Sequence, residues 1–178
     1  QIDFLDSKKY YYTFYITQKE INMFGITFAQ KPHKFKQIDS LVSRSAQPKK
    51  SNIKWLKKHD VTDVINFCQS NDNKHFNEKA IVEKAGMHYH NIPTDPRHPS
   101  ERKVGEFLDL VEGIKEKGGK VHIHCHHGAD RTGMYSWIYK QKHGIGEMQE
   151  NEREMIKMGH DRAYFPNMIN WIKEYLYK

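Results

Sequence analysis

Only two cysteines, Cys68 and Cys125, occur in the 178 residues, too few for a disulfide-built scaffold. No apolar run approaches the roughly 18 residues that a membrane-spanning helix needs. No internal repeat, low-complexity tract or linker rich in Gly, Pro and Ser interrupts the chain, so its length predicts a compact body able to bury a core. With 37% hydrophobic residues and a mean hydropathy of −0.88, a soluble fold is expected. Acidic residues are the minority charge, 22 against 29 basic ones, for a net charge of +7. That balance favours anionic partners, but it fits a merely solvated lysine-rich surface equally well. Position 1 is Gln rather than Met. Localisation therefore stays open between cytoplasmic and, if a signal segment was removed, periplasmic or secreted.

What is present is an alternation of strand-like and helix-like segments. Tyr10, Tyr11, Tyr12, Phe14 and Tyr15 predict a strand or an aromatic cover over the main body. Strands are expected at 41–43, 61–67, 87–92 and 120–124. Helices are expected after a Ser51 cap, over 74–84 and from Ser100 to Lys117, where Val104, Phe107, Leu108, Val111 and Ile114 recur at helical spacing. Three more are expected over 132–143, 146–158 and 167–177. Such alternation predicts an α/β layered fold with a mostly parallel sheet, whose chemistry gathers at strand carboxyl ends. Cys125 stands at one of those ends.

The stretch His124-Cys125-His126-His127-Gly128-Ala129-Asp130-Arg131-Thr132-Gly133 carries the chemistry. A cysteine ends a strand, five residues loop over, and an arginine opens a helix. The loop amides of His126, His127, Gly128, Ala129 and Asp130, with the positive end of the helix, form an anion cradle. The same field favours a thiolate, and thiols in comparable settings have pKa values of roughly 3.5–7.5. Gly128 permits a close backbone approach. Arg131 presents a planar fork of donors to two phosphoryl oxygens, and Thr132 can donate its hydroxyl to the sulfur.

These residues resemble the signature of the protein-tyrosine-phosphatase superfamily, His-Cys-x-x-Gly-x-x-Arg-Ser/Thr-Gly. A chance match at its six fixed positions has a frequency of roughly 10⁻⁸ per window. The resemblance extends over about residues 35–177. It includes Ser43-Arg44-Ser45-Ala46-Gln47-Pro48, similar to a segment of compact bacterial, atypical dual-specificity and phytase-like members. It implies a phosphatase domain over 35–178 and an aromatic-rich extension over 1–34. The reaction it implies is cysteine-dependent, with no metal or other cofactor: Cys125 is the nucleophile, and Arg131 and the loop amides bind the phosphoryl group. His122 stands where an aliphatic residue is common, His127 where a small one is, and Asp130 directly precedes Arg131 as in phosphoinositide-acting branches.

Expelling an alkoxide or phenoxide requires a proton donor. Asp95, in Pro93-Thr94-Asp95-Pro96, resembles the superfamily's mobile acid loop in position, although an Asp-Pro turn needs no catalytic role. Asp130 is the rival acid, or else a loop brace. Cys68 matches a place where some members carry a redox partner for the nucleophile, while a small buried residue is the plain alternative. His122, His124, Cys125, His126 and His127, with His88 and His90 nearby in sequence, could instead ligate a metal, but they lack the separated ligand pairs of familiar zinc sites. A rhodanese-type sulfurtransferase or a silent phosphate-binding module remain the other classes. The expected substrate is an inositol polyphosphate, with phosphotyrosine peptide as the alternative. His126, His127, Arg97, Lys103 and Arg44 are candidates to surround the cleft. No nucleic-acid partner is expected, and the chain is expected to be a monomer.

Overall fold

The computed structural model describes residues 29–70 and 77–178. The aromatic cluster at 10–15 and the first turn of the helix expected from Lys74 lie outside the described residues. In chain order the elements are β1 (Lys36–Gln37), β2 (Val42–Ala46), α1 (Lys50–Lys58), β3 (Asp63–Asn66) and α2 (Glu78–Lys84). They continue with β4 (His88–Asn91), α3 (Glu101–Glu116), β5 (Val121–Cys125), α4 (Asp130–Lys142), α5 (Met148–Lys157) and α6 (Met168–Leu176). Among the described residues, no helix is long and apolar enough to cross a membrane.

The five strands run in the order β1-β2-β5-β3-β4. β1 is antiparallel to β2, and every other pair is parallel. The expected α/β class and mostly parallel sheet are therefore what the chain forms. β5 lies at the centre, paired with β2 through Ala46↔Cys125 and with β3 through Asn66↔His124. Three parallel strands thus bring their carboxyl ends together around Cys125.

Side chains alternate across the sheet, and the two faces differ in kind. On one face Val121, Ile123 and Cys125 join Ile65, Phe107, Val111, Tyr135, Trp137, Ile138 and Ile172 in the larger core. Every residue of α4 from Asp130 to Tyr139 is buried, its first turn beneath the loop and Met134, Tyr135, Trp137, Ile138 and Tyr139 in this core. On the other face, Ile53, Leu56, Val64, Val82 and Met87 form a smaller core under α1 and α2. Burying each such side chain stabilises the fold by about 1.5–3 kcal/mol.

Near the carboxyl ends that second face turns polar. His122, fully buried, has Ser43 Oγ 2.9 Å from Nδ1 and Ser45 Oγ 2.7 Å from Nε2. Ser45 Oγ in turn donates to Ala46 O, so the network assigns the proton to Nε2. Burial, and after it the neighbouring His124, hold the imidazole well below its ordinary pKa, and it is neutral. His122 thus takes an aliphatic residue's place as a fully hydrogen-bonded spacer between strands.

Most boundaries moved by a residue or two, but β2 runs three residues past its expected end at 43, α2 starts at Glu78 rather than at 74, the two-residue β1 was not expected, and at α1 the expected Ser51 cap is absent. The helix begins two residues earlier than that cap implies, at Lys50, and Asn52 Oδ1 accepts the Lys49 N–H at 2.8 Å. A longer amide side chain reaches back one turn and replaces the serine cap.

Candidate active site

The loop from His126 to Ala129 joins β5 to α4 and is built against the end of β2. Gly128 has φ +66°, and a Cβ there would stand 2.4 Å from Ala46 N and 2.6 Å from the Ser45 carbonyl. Only glycine satisfies both the left-handed backbone and that approach. Arg44 Nη2 donates to Gly128 O at 2.7 Å, and Gln47 N donates to His126 O at 3.2 Å. The segment Ser43–Pro48 is therefore a strap beneath the loop.

Arg44 is 1% exposed and does not face the cleft as expected. Burial lowers its pKa, opposed by the charge of Glu154 and then by Cys125. Glu154 Oε1 lies 3.8 Å from the guanidinium, and Glu154 Oε2 accepts from Lys36 and Lys140 at 2.7 Å each. Lys103 also departs from expectation: it pairs with Glu106 at 3.2 Å along α3 and does not line the cleft.

Cys125 ends β5 and is 2% exposed, at the base of the loop. Thr132 Oγ1 is buried and has no hydrogen-bond partner among the described residues. Arg131 Nη1 donates to Phe67 O at 3.3 Å, and that carbonyl also accepts the Thr94 N–H at 3.2 Å. The Pro93–Pro96 loop is anchored further by Thr94 Oγ1, 2.8 Å from the Tyr135 hydroxyl. Burial pushes that hydroxyl up to about 12, so it stays protonated.

Above the loop opens a cavity of about 730 Å³, lined by His126, His127, Asp130 and Arg131 from the loop and helix, and by Asp95, Pro96 and Arg97 opposite. Asp95 accepts from Arg97 N at 2.9 Å and from His98 Nδ1 at 3.0 Å. The His98 bond, then the Arg97 N–H, hold its carboxyl below the usual range. Asp130 has the contacts of a brace: Oδ1 accepts from His160 Nδ1 at 2.7 Å and from Asp161 N at 3.0 Å. Burial pushes its carboxyl up, but the bonds from His160 and Asp161 together outweigh this and keep it low.

Two parts of the wall lie beyond what the residue pattern revealed. His33 and Lys34, assigned to the extension, line the cavity, and Lys34 Nζ donates to Met158 O at 2.9 Å. The α5–α6 loop adds Gly159, Asp161, Tyr164 and Phe165. These side chains meet the loop only through tertiary packing, so no local spacing announces them.

Behind Cys125, His124 Nε2 lies 2.8 Å from Glu78 Oε1, a close contact without hydrogen-bond alignment, and both groups are buried. Glu78 Oε2 accepts from Asn66 at 2.9 Å and Gln47 at 3.3 Å. His88 and His90 point instead to Asp63, at 3.4 and 2.7 Å. Among the described residues, no three His, Cys, Asp or Glu side chains gather as metal ligands would. Cys68 leaves the sheet on the strand beside β5, at the same edge as Cys125, since Phe67 N donates to His124 O at 2.9 Å. It is buried beside a separate polar pocket of about 190 Å³.

The profile of a phosphatase family of polymorphic toxin systems, described as DSP-PTPase, matches residues 40–144, more than half of the chain. The chain belongs to this DSP-PTPase family. The match begins just before β2 and ends after α4, so it contains the strap, the Pro93–Pro96 loop and the cysteine loop. Among curated relatives, the dual-specificity protein phosphatase CDC14B of Mus musculus is 34% identical over 92 residues, 51% of this chain and 17% of that protein. TpbA of Pseudomonas aeruginosa, another dual-specificity protein phosphatase, is 27% identical over 97 residues, 54% of this chain and 41% of TpbA. The chain thus spans less than half the length of these relatives. Among solved structures, a DUF442 protein of Shewanella putrefaciens CN-32 superposes with a TM-score of 0.69 at 24% identity, covering 89% of this chain and 96% of that one. The catalytic core of the PP-IP phosphatase SIW14 of S. cerevisiae superposes with a TM-score of 0.66 at 14% identity, covering 80% and 86%. Likeness at these identities establishes the shared fold.

Proposed function

We propose that this chain hydrolyses phosphomonoesters through a phosphocysteine formed on Cys125. The observation that carries the reading is the cradle itself: a cysteine ending the central strand, a loop turned by Gly128 and an arginine in the first turn of α4. The thiolate attacks phosphorus in line, the S–P bond forms, and the P–O bond to the leaving group breaks. Arg131 and the loop amides bind the equatorial oxygens and supply the positive charge the transition state requires. Thr132, whose buried hydroxyl has no other partner, donates to the sulfur as it leaves in the second step.

Asp95 is assigned the proton transfers. Its bonds from His98 and the Arg97 N–H favour the carboxylate, the form needed in the second step. There it takes a proton from the water that attacks phosphorus as the S–P bond breaks. For the first step it must be protonated, which requires those bonds to loosen as the leaving oxygen arrives.

Inositol polyphosphates are the favoured substrate class. Lys34 and Arg97 line one cavity with Arg131, beside the imidazoles of His33, His126 and His127, and cations flanked by hydrogen-bonding groups suit a ligand with several phosphates. The fold shared with a PP-IP phosphatase agrees with that choice. Phosphotyrosine is the second reading, favoured by Tyr164 and Phe165 at the wall, where an aryl phosphate would pack. The test is turnover of inositol hexakisphosphate against a phosphotyrosine peptide, with chelator present and with Cys125→Ser as control. Both substrates should be inert in the serine variant, and the inositol phosphate should give the higher kcat/KM. Activity in Cys125→Ser, or loss of wild-type activity on chelation, would remove the thiolate mechanism. A higher kcat/KM for the peptide would replace the favoured substrate class with phosphotyrosine.

A further inference from the structure

We propose that Arg97, seated on an aromatic platform of Tyr164 and Phe165, anchors a second anion subsite that binds a non-reacting phosphate of the substrate. The inference rests on Cys125 and Arg131 holding the reacting phosphate, as argued above. Arg97 Cζ lies 4.4 Å from the Tyr164 ring centroid and 5.7 Å from that of Phe165. The two rings meet edge to face at 4.9 Å. Stacking fixes the guanidinium plane and leaves its N–H edge unspent. No carboxylate forms an ion pair with it among the described residues; Asp95 accepts from the Arg97 backbone N–H and from His98, not from the guanidinium. An unpaired, pre-oriented guanidinium on a cavity wall is a recognition group waiting for an oxyanion.

Its separation from the reacting centre is fixed on both sides. The platform loop folds on itself through Tyr164 N, which donates to Asp161 Oδ1 at 2.9 Å. Asp161 N and His160 Nδ1 both reach Asp130 Oδ1, at 3.0 and 2.7 Å. Asp130 immediately precedes Arg131, so the platform is pinned to the residue beside the phosphate-binding guanidinium. On the other side, Arg131 and Thr94 share the Phe67 carbonyl, and Thr94 lies three residues before Arg97. Two guanidinia therefore face one cavity from a braced frame, an arrangement that selects ligands carrying two separated phosphates. A plain surface stack would stabilise the turn and need no such frame.

The test is made by calorimetric titration of the Cys125→Ser protein, where binding is read without turnover. The probes are inositol hexakisphosphate, a singly phosphorylated phosphotyrosine peptide and inorganic phosphate. Adding Arg97→Gln should weaken inositol hexakisphosphate about tenfold or more beyond any effect on inorganic phosphate. Tyr164→Leu keeps the arginine but removes its seat, and should give a smaller loss with the same selectivity. Equal weakening of all three probes, or unchanged inositol hexakisphosphate binding in a folded Arg97→Gln protein, would overturn the subsite. So would a loss confined to the peptide, since Arg97 would then read a peptide. Should Arg97→Gln fail to fold, unchanged selectivity in Tyr164→Leu would overturn it as well. Turnover by the unmodified chain separately judges the phosphomonoesterase reading, so the two can fail independently.

Discussion

Gly128→Ala isolates the geometric demand of the cradle from its chemistry, because no reacting group changes. The new methyl would lie 2.4 Å from Ala46 N and 2.6 Å from both the carbon and oxygen of the Ser45 carbonyl. All three are backbone atoms of β2 and cannot rotate away. A left-handed alanine costs roughly 1–2 kcal/mol, and forcing a methyl into a packed site adds roughly 1–3 kcal/mol. The combined loss is about 2–5 kcal/mol, which lowers the melting temperature by roughly 5–15 °C at this chain length. Relief requires the loop to lift from β2, which stretches the Arg44–Gly128 bond of 2.7 Å. A displacement near 1 Å at the loop lowers turnover on the order of a hundredfold. Gly133→Ala is the comparison: the three atoms nearest its methyl all belong to the Met155 side chain, Cγ at 2.7 Å, so its clash is with a side chain rather than with the backbone of β2. Thermal melts followed by circular dichroism and p-nitrophenyl phosphate turnover measure both. If Gly128→Ala melts and turns over no worse than Gly133→Ala, the close approach to β2 is not what fixes the loop.

Asp95 and Asp130 separate by leaving group: p-nitrophenolate departs with little protonation, an inositol alkoxide with much. Asp95→Asn should slow the alkoxide substrate far more than the activated ester, and a selective loss in Asp130→Asn instead would reverse the assignment. Asp130, with its folded pKa depressed, contributes stability at pH values above the ordinary aspartate range. That contribution fades as pH falls through the folded value, so the melting-temperature gap between wild type and Asp130→Asn should close in acid. A gap independent of pH would show that the His160–Asp130 pair does not depend on charge. The buried position of Cys68 just past β3, at the sheet edge where Cys125 ends β5, predicts a peroxide-induced Cys68–Cys125 disulfide. Peroxide oxidises the Cys125 thiolate to a sulfenic acid, the Cys68 thiol displaces its oxygen as water, and the disulfide is lighter than the reduced protein by two hydrogen atoms. Dithiothreitol should restore activity in wild type but not in Cys68→Ser, and equal recovery in both would leave Cys68 as core packing.

The candidate site around Cys125 was legible because its requirements are local. A strand, a five-residue loop and a helix start are contiguous in sequence, and Gly128 and Arg131 serve the same loop that Cys125 opens. The apolar periodicity of α3 was legible for the same reason, each position being set by its neighbours one turn away. What escaped was set by partners distant in the chain. Arg44 reads as a cleft cation until Gly128, 84 residues on, accepts from its Nη2 and Glu154 stands beside its guanidinium. Ser51 looks like a cap until Asn52 is seen to reach Lys49. The aromatic wall is the largest such case, since Tyr164 and Phe165 join the cavity only because His160 and Asp161 bind Asp130.

The histidines show why hydropathy alone misreads the sheet. A pattern of Val-His-Ile-His-Cys suggests a strand with one wet face, yet all five residues of β5 are buried. An unpaired polar group in such a place costs about 1–3 kcal/mol, so each imidazole needs a partner on a neighbouring element. His122 has Ser43 and Ser45 from β2, and His124 stands against Glu78 from α2. Those partners belong to elements that also hold the cysteine loop: β2 carries Arg44, and Glu78 receives Gln47, whose own backbone N–H binds His126. The polar face is thus continuous with the support of the loop. Replacing His124 by an aliphatic residue would take the facing imidazole from Glu78 Oε1 and leave that carboxyl held through Oε2 alone, by Asn66 and Gln47.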